Sequence, residues 1–216
     1  MTRAELKNRG NAQIKEQYWS YVLASFLLYL VGGFGGGVTF DFSSEHSFWN
    51  IFMIVTAVLG MLISLALTIF ITGPLEVGVR RFYLTGMYTK APVHLIGSGF
   101  RKETYKKTVI SVFLPKVFIF LWSLLLLIPG IIKAYEYYFV PWIVAEQPDL
   151  SPREAMKISR RITKGHKWEL FVLELSFLGW LLVGAMCCGI GTIFVMPYVD
   201  ATMTQMYDTL KVIQVD

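Results

Sequence analysis

Long apolar runs alternate with short polar segments along this chain, and the pattern predicts helices that cross a membrane. A helix rises 1.5 Å per residue, so about 20 apolar residues cover a hydrocarbon core of about 30 Å. Five runs reach this length, at about residues 18–38, 48–72, 108–128, 168–186 and 192–210. The sequence therefore predicts an all-α membrane protein, organised as a single membrane domain over residues 1–216.

A sixth apolar segment, 131–145, is shorter and covers only about 22 Å as a helix. Lysine and arginine collect on the cytoplasmic side of membrane proteins, and their distribution favours counting this segment as a span. With six spans, four basic segments share one side and hold four, seven, six and one of the 20 lysines and arginines: residues 1–17, 77–107, 146–167 and the C-terminal tail. We expect both termini in the cytoplasm of a plasma-membrane protein, with 39–47 and 187–191 outside.

Two basic helices are predicted on the cytoplasmic side, at residues 2–16 and 151–164. In the second, Ser151 and Glu154 have the spacing of a capping box, and Gly165 offers a left-handed stop. At 100° per residue the cations of this helix fall on one face, opposite a modest apolar face. This amphipathic pattern predicts binding to anionic lipid headgroups or to a partner through Arg153, Lys157, Arg160, Arg161 and Lys164.

Composition agrees with a membrane location and excludes several other classes. Hydrophobic residues make up 55% and charged residues 16%, whereas soluble domains carry about 25% charged residues. The net charge of +5 does not indicate nucleic-acid binding, because the basic residues lie between apolar runs. No catalytic motif, cofactor site or metal-ligand spacing is evident: Cys187 and Cys188 are adjacent, and the three histidines are scattered. We therefore expect no enzymatic activity, no cofactor and no bound metal.

Ionisable residues within or beside predicted spans each need a partner or a cavity. We expect Lys116, Glu174, Glu76 and Asp200 to form an intramembrane polar cluster. Lys116 and Glu174 lie at similar predicted depth with opposite charge, so they are predicted to pair, with Asp200 or Glu76 as the next candidates for Lys116. Glu136 is expected nearer the outside. Such a cluster serves either as a ligand or ion pathway or as an ion pair that ties helices together.

Prolines recur in or near the spans, and each leaves a helix carbonyl without its usual donor. Five are predicted to break helices: Pro74, Pro115, Pro129, Pro141 and Pro197. Three of them precede an acidic residue in a returning helix, as Pro74 does with Glu76. This recurrence predicts three parallel hairpin repeats, although short apolar words of this kind also recur by chance.

Several of these residues resemble a known family. The likeness extends over nearly the whole chain and rests on Leu127–Ile131, Tyr135, Pro141, Glu146, Ser151, Ala155, Ser159, residues 163–170 and Pro197–Thr202. The chain resembles domain-of-unknown-function family 975, a group of small bacterial integral membrane proteins. A more distant likeness is to the membrane domain of some glycerophosphodiester phosphodiesterases. The resemblance implies the fold, topology and location but no activity.

Two function classes remain open at this stage. The first is a transport-type or membrane-handling protein for a small solute, peptide or lipid. The second is a non-catalytic accessory or scaffold protein whose basic cytoplasmic face binds anionic lipid or a partner complex. In either case the expected partners are the lipid bilayer and a partner membrane protein or a second copy of this chain.

Overall fold

The computed structural model describes residues 2–15, 17–32, 47–186 and 190–213, and within them every regular element is helical. The helices are α1 (Arg3–Lys15), α2 (Tyr18–Gly32), α3 (Ser47–Leu67), α4 (Gly73–Gly86), α5 (Tyr105–Leu125), α6 (Leu127–Glu136), α7 (Val140–Glu146), α8 (Pro152–Ile162), α9 (Lys167–Met186) and α10 (Ile190–Ile213). A π-helical turn (Thr68–Thr72) joins α3 to α4, and a 3-10 helix covers Val93–Phe100. The all-α prediction is confirmed for these residues. The predicted outer turn and loop at 33–46, including His46, and the pair Cys187–Cys188 lie outside them.

Two helices are long and apolar enough to cross a membrane, within the part of the chain that the structure describes. They are Ile54–Gly86, which runs through the π-helical turn, and Tyr105–Leu125. The first is unburied in its most apolar window, and α3 and α5 both expose large apolar side chains, as α9 also does. Extended apolar surface of this kind is unusual on a soluble monomer. This exposed apolar surface supports a membrane protein, but it does not determine how many helices span the membrane.

The fourth predicted span, 131–145, is not one helix. The structure divides it between α6 and α7, which a turn at Tyr137–Phe139 separates. With 10 and 7 residues, these helices cover only about 15 and 10 Å. The side chains from Phe139 to Ala145 are all buried. This second part of the apolar run therefore belongs to the protein core, where α4, α5, α8 and α10 contact it, whereas Ile131 and Ile132 of α6 are exposed.

The basic stretch 77–107 is not an irregular loop. Its first part continues α4 to Gly86, and most of that helix from Gly73 to Leu84 is buried. The 3-10 helix then folds back against α4 so closely that backbones touch. A Cβ at Gly78 would overlap the carbonyl oxygen of Ile96, and one at Gly99 would overlap that of Pro74. Because these two glycines lack a Cβ, the 3-10 helix can pack directly against the backbone of α4.

Both predicted basic helices form. In α1, Thr2 Oγ1 accepts from the N–H of Glu5 at 3.3 Å, and the Glu5 carboxylate accepts from the N–H of Thr2 at 2.8 Å. One face of α1 is buried against α10, through Leu6, Gly10 and Ile14. This helix is therefore part of the bundle rather than a separate surface element.

The predicted capping box and left-handed stop of α8 are both present. Ser151 and Glu154 form the reciprocal capping box, and Gly165 adopts φ +88°. The hydrogen bonds from the side chain and backbone of Ser151 lower the pKa of the Glu154 carboxyl. All five predicted cations are exposed, while Ala155, Met156, Ser159 and Ile162 are buried against the neighbouring helices.

The prolines do not all break helices, which corrects part of the prediction. Pro74, Pro129 and Pro141 stand in the first turns of α4, α6 and α7, whereas Pro115 and Pro197 lie inside continuous helices. At Pro74 the missing N–H frees the carbonyl of Phe70, four residues earlier. The hydroxyl of Tyr105 donates to this oxygen at 2.8 Å. The freed carbonyl is thus satisfied inside the protein, as a low-dielectric environment requires.

Candidate functional site

A buried ion pair joins α4 to α10. Nη1 of Arg80 lies 2.5 Å from Oδ1 of Asp200, and the two side chains are only 12% and 13% exposed. The Arg80 guanidinium also lies over the Trp142 ring of α7, 4.0 Å from its centroid. The Arg80 side chain therefore contacts both α7 and α10.

Neutral polar groups complete the surroundings of Asp200. Ser25 Oγ donates to Oδ2 of Asp200 at 3.2 Å and lies 3.0 Å from the hydroxyl of Tyr83. The indole N–H of Trp142 donates to Thr204 Oγ1 at 3.0 Å, and that hydroxyl donates to the backbone oxygen of Asp200 at 2.8 Å. Arg80 and Ser25 thus hold one carboxylate oxygen each, while Thr204 links Trp142 to the backbone of Asp200. We call Ser25, Arg80, Tyr83, Trp142 and Asp200 the Arg80 site.

Arg80 retains an unused donor. Its Nε is buried and has no hydrogen-bond partner among the described residues. A guanidinium presents five N–H donors, and a buried donor left unpaired is costly. Glu76 lies one helical turn before Arg80 in α4. The Arg80 site therefore combines a cation that cannot lose its proton with spare capacity for an anionic oxygen.

The four ionisable residues predicted to cluster are divided differently from the prediction. Lys116 Nζ lies 3.4 Å from Oε2 of Glu76, and Glu174 accepts a hydrogen bond of 2.6 Å from the Tyr135 hydroxyl. The predicted Lys116–Glu174 pair is therefore wrong, and Glu76, one of the two next candidates for Lys116, takes its place. Asp200 pairs instead with Arg80.

Arg80 was missed because it precedes Arg81 at the start of a basic stretch. Charge counting assigned both arginines to the cytoplasmic side. The helical spacing held the correcting signal: Glu76 and Arg80 are four residues apart, and apolar Leu75, Val79 and Phe82 lie around them. These apolar positions indicate that α4 continues as a buried helix carrying one charged pair.

A second charged cluster surrounds Glu136 at the end of α6. Its carboxylate, 8% exposed, lies 2.6 Å from Lys133 Nζ, 2.7 Å from Lys167 Nζ and 3.7 Å from Arg160 Nε. Ser159 Oγ also donates to the Glu136 backbone oxygen at 2.9 Å. Glu136 therefore lies beside α8 and the first residue of α9, not toward the outer side where it was expected.

Three cavities accompany these clusters. A small one of about 110 Å³ reaches Lys116 between the π-helical turn and α5, and its walls include Leu65, Val112 and Phe113. A cleft of about 400 Å³ lies beside Glu136. A third, of about 590 Å³, lies between α1, α2, the end of α4 and α10. Neither Arg80 nor Glu174 lines any of these three spaces.

Comparison with known proteins finds a family match in the second half of the chain. Residues 123–214 match the sequence model of the family described as Protein of unknown function (DUF975). This is the family that the sequence resembles. The DUF975 match covers α6 to α10 and the end of α5, and it does not extend over nearly the whole chain as the resemblance did.

No curated protein and no solved structure matches this chain. The likeness to the membrane domain of glycerophosphodiester phosphodiesterases has no support from these comparisons and stays a prediction. Among the described residues, no group of three or more histidine, cysteine, aspartate or glutamate side chains is placed to hold a metal ion. The DUF975 description assigns no activity, so function must be argued from the site itself.

Proposed function

We propose that this protein is a multi-pass membrane protein with six spans and cytoplasmic termini, and that it handles a small anionic solute, peptide or lipid through the Arg80 site. Support for the membrane location comes from the two long apolar helices and the exposed apolar faces of α3, α5 and α9. Support for the orientation comes from the distribution of lysine and arginine.

The observation that carries the function is the buried Arg80–Asp200 pair with its unpaired Nε. An ionisable pair in the interior of a membrane bundle is costly to bury and marks a functional site by default. An anionic ligand group that competes with Asp200 for the guanidinium would loosen the contact between α4 and α10. Binding would then be coupled to helix movement, which a transport-type protein needs.

We expect cysteines introduced on opposite sides of the membrane to react with an impermeant maleimide from opposite sides. Suitable variants are Ser44→Cys in the predicted outer loop and Asp149→Cys, whose side chain is 89% exposed, in a background lacking Cys187 and Cys188. In intact cells, only the Ser44 variant should label; in inverted membrane vesicles, only the Asp149 variant. Labelling of both from the same side would remove the proposed topology.

We also expect an anionic ligand to stabilise the purified protein through Arg80. A ligand present at 100 times its Kd adds about 2.7 kcal/mol to stability, which a thermal-shift screen of carboxylates, phosphate esters and acidic peptides detects. The matched control is the double variant Arg80→Met/Asp200→Asn, which removes the site and both charges together. A compound that stabilises the wild type and the double variant equally binds elsewhere. A screen without any stabilising anion would favour the accessory function below.

The second candidate is an accessory or scaffold function through the cytoplasmic face of α8. Its supporting observation is that the four cations of α8, and Lys164 just beyond its end, are exposed while the opposite face is already packed against the protein. The helix therefore offers charge rather than apolar surface to a binding partner. Co-purification of a defined partner in mild detergent, lost when these cations are replaced by glutamine, would favour this function over the first.

A further inference from the structure

The charged cluster at Glu136 opens into a cleft that no part of the proposed Arg80 function uses. The cleft has a volume of about 400 Å³ and lies where α6, α8 and α9 meet. Its walls are Glu136, Arg160, Lys164, Gly165, Lys167 and Trp168. Three cations and one carboxylate thus line a single space, so the cleft carries a positive surplus.

Glu136 organises these cations rather than neutralising them. Its carboxylate is 8% exposed and binds Lys167 and Lys133 through different oxygens, at 2.7 and 2.6 Å. The Arg160 Nε lies farther away, at 3.7 Å, and that side chain is 66% exposed. Arg160 and Lys164 therefore keep donors available for an anion that enters the cleft, while Lys167 is held in place by the carboxylate.

The geometry of the turn between α8 and α9 keeps this space open. Gly165 has φ +88°, a conformation that reverses the chain without placing a side chain at the bend. Lys164 and Lys167 flank this bend in the sequence. The turn therefore brings the cations at the C-terminal end of α8 beside Lys167, the first residue of α9.

Trp168 at the edge of the cleft indicates which kind of anion it meets. Its side chain is 70% exposed although tryptophan is strongly apolar, and it follows Lys167 at the start of the predicted fifth span. Tryptophan is enriched at the level of lipid headgroups, where its ring is partly in hydrocarbon and its N–H meets water. Lysine and arginine beside such a residue contact anionic headgroups.

We propose that this cleft binds the phosphate of an anionic lipid headgroup, with Arg160, Lys164 and Lys167 as its cationic contacts and Trp168 against the upper acyl region. This assignment rests on the membrane orientation proposed above but not on the Arg80 site. It differs from general attraction to the α8 stripe, because it assigns binding to one end of that helix.

The test uses the purified full chain in a neutral detergent and short-chain lipids as probes. Binding of dihexanoyl phosphatidylglycerol is compared with that of dihexanoyl phosphatidylcholine, glycerol 3-phosphate and inorganic phosphate, below the critical micelle concentration of the lipids. We expect phosphatidylglycerol to bind most tightly. Equal binding of the two lipids would overturn the proposal, as would binding of a free phosphate compound as tight as that of phosphatidylglycerol.

Two double variants decide whether the cleft is the site. Arg160→Gln/Lys164→Gln should weaken phosphatidylglycerol binding about tenfold to thirtyfold, since each headgroup cation contributes about one factor of five. Arg153→Gln/Lys157→Gln removes the same charge from the same helix away from the cleft, and we expect at most a threefold loss. Equal losses would overturn the assignment to the cleft.

If the double variant folds poorly, Lys164→Gln alone still tests the proposal. This single change leaves the three ion pairs of Glu136 untouched. We expect about a fivefold loss, and an unchanged affinity would count against the proposal. Failure here is distinguishable from failure of the proposed function, because maleimide labelling and the Arg80 ligand screen do not involve this cleft.

Discussion

Replacing Arg80 with methionine lowers the free energy of unfolding by about 3–5 kcal/mol, the expected cost of leaving a buried carboxylate without its partner. Asp200→Asn should have an effect of similar size, because it leaves the buried Arg80 guanidinium without its counter-ion, although asparagine keeps an oxygen for Ser25. In the double variant both charges are gone, so we expect less destabilisation than the sum, with a coupling of about 1–3 kcal/mol. Reversible unfolding in mixed micelles, followed by circular dichroism, measures all three.

The control pair is Lys107 and Asp149. Their side chains are 51% and 89% exposed, and Lys107 Nζ lies 3.7 Å from Oδ1 of Asp149. Exposed pairs of this kind contribute about 0–1 kcal/mol, so Lys107→Met and Asp149→Asn should change stability little and additively. If the Arg80 and Asp200 effects also add, the two residues do not stabilise each other. The Trp142 ring and Glu76 would then account for the burial of Arg80.

Substituting alanine at Gly78 should destabilise the fold by about 3 kcal/mol or more. The new Cβ would overlap the backbone carbonyl of Ile96, and a backbone atom cannot move aside as a flexible side chain can. Either the 3-10 helix leaves α4 or α4 shifts in the core. The change is measured by the same unfolding experiment, and by faster proteolysis within residues 87–104.

Gly97 provides the matched substitution in the same 3-10 helix. A Cβ there meets no atom within 4 Å, so Gly97→Ala should change stability by no more than about 0.5 kcal/mol. If Gly78→Ala proves equally mild, the close packing of the two backbones is not what holds this segment. The observed burial of Gly99 against Pro74 would then need a different explanation.

Local sequence patterns predicted the structure correctly where the interacting residues are close together in the sequence. The capping boxes of α1 and α8, the bend at Gly165 and the division of α8 into a basic and a buried face all follow from residues at most a few positions apart. Each depends on backbone geometry that the adjacent residues determine. The likeness to DUF975 likewise rests largely on motifs within the matched region.

Charge counting did not reveal the partners of Arg80 and Glu136. It assigns a cation to a side of the membrane without asking which face of its helix is covered. Arg80 is buried because Asp200, 120 residues later, and Trp142 of α7 meet it in the core.

The sequence by itself determined the helical class and the capping and amphipathic pattern of α8, because hydrophobic periodicity and capping act within one or two turns. Only the tertiary structure decided that 131–145 is divided between two helices with a buried Phe139–Ala145 segment, that Lys116 pairs with Glu76 rather than Glu174, and that Arg80 pairs with Asp200. These outcomes depend on which helices pack together. Burial and ion pairing depend on these contacts, which join residues that are far apart in the sequence.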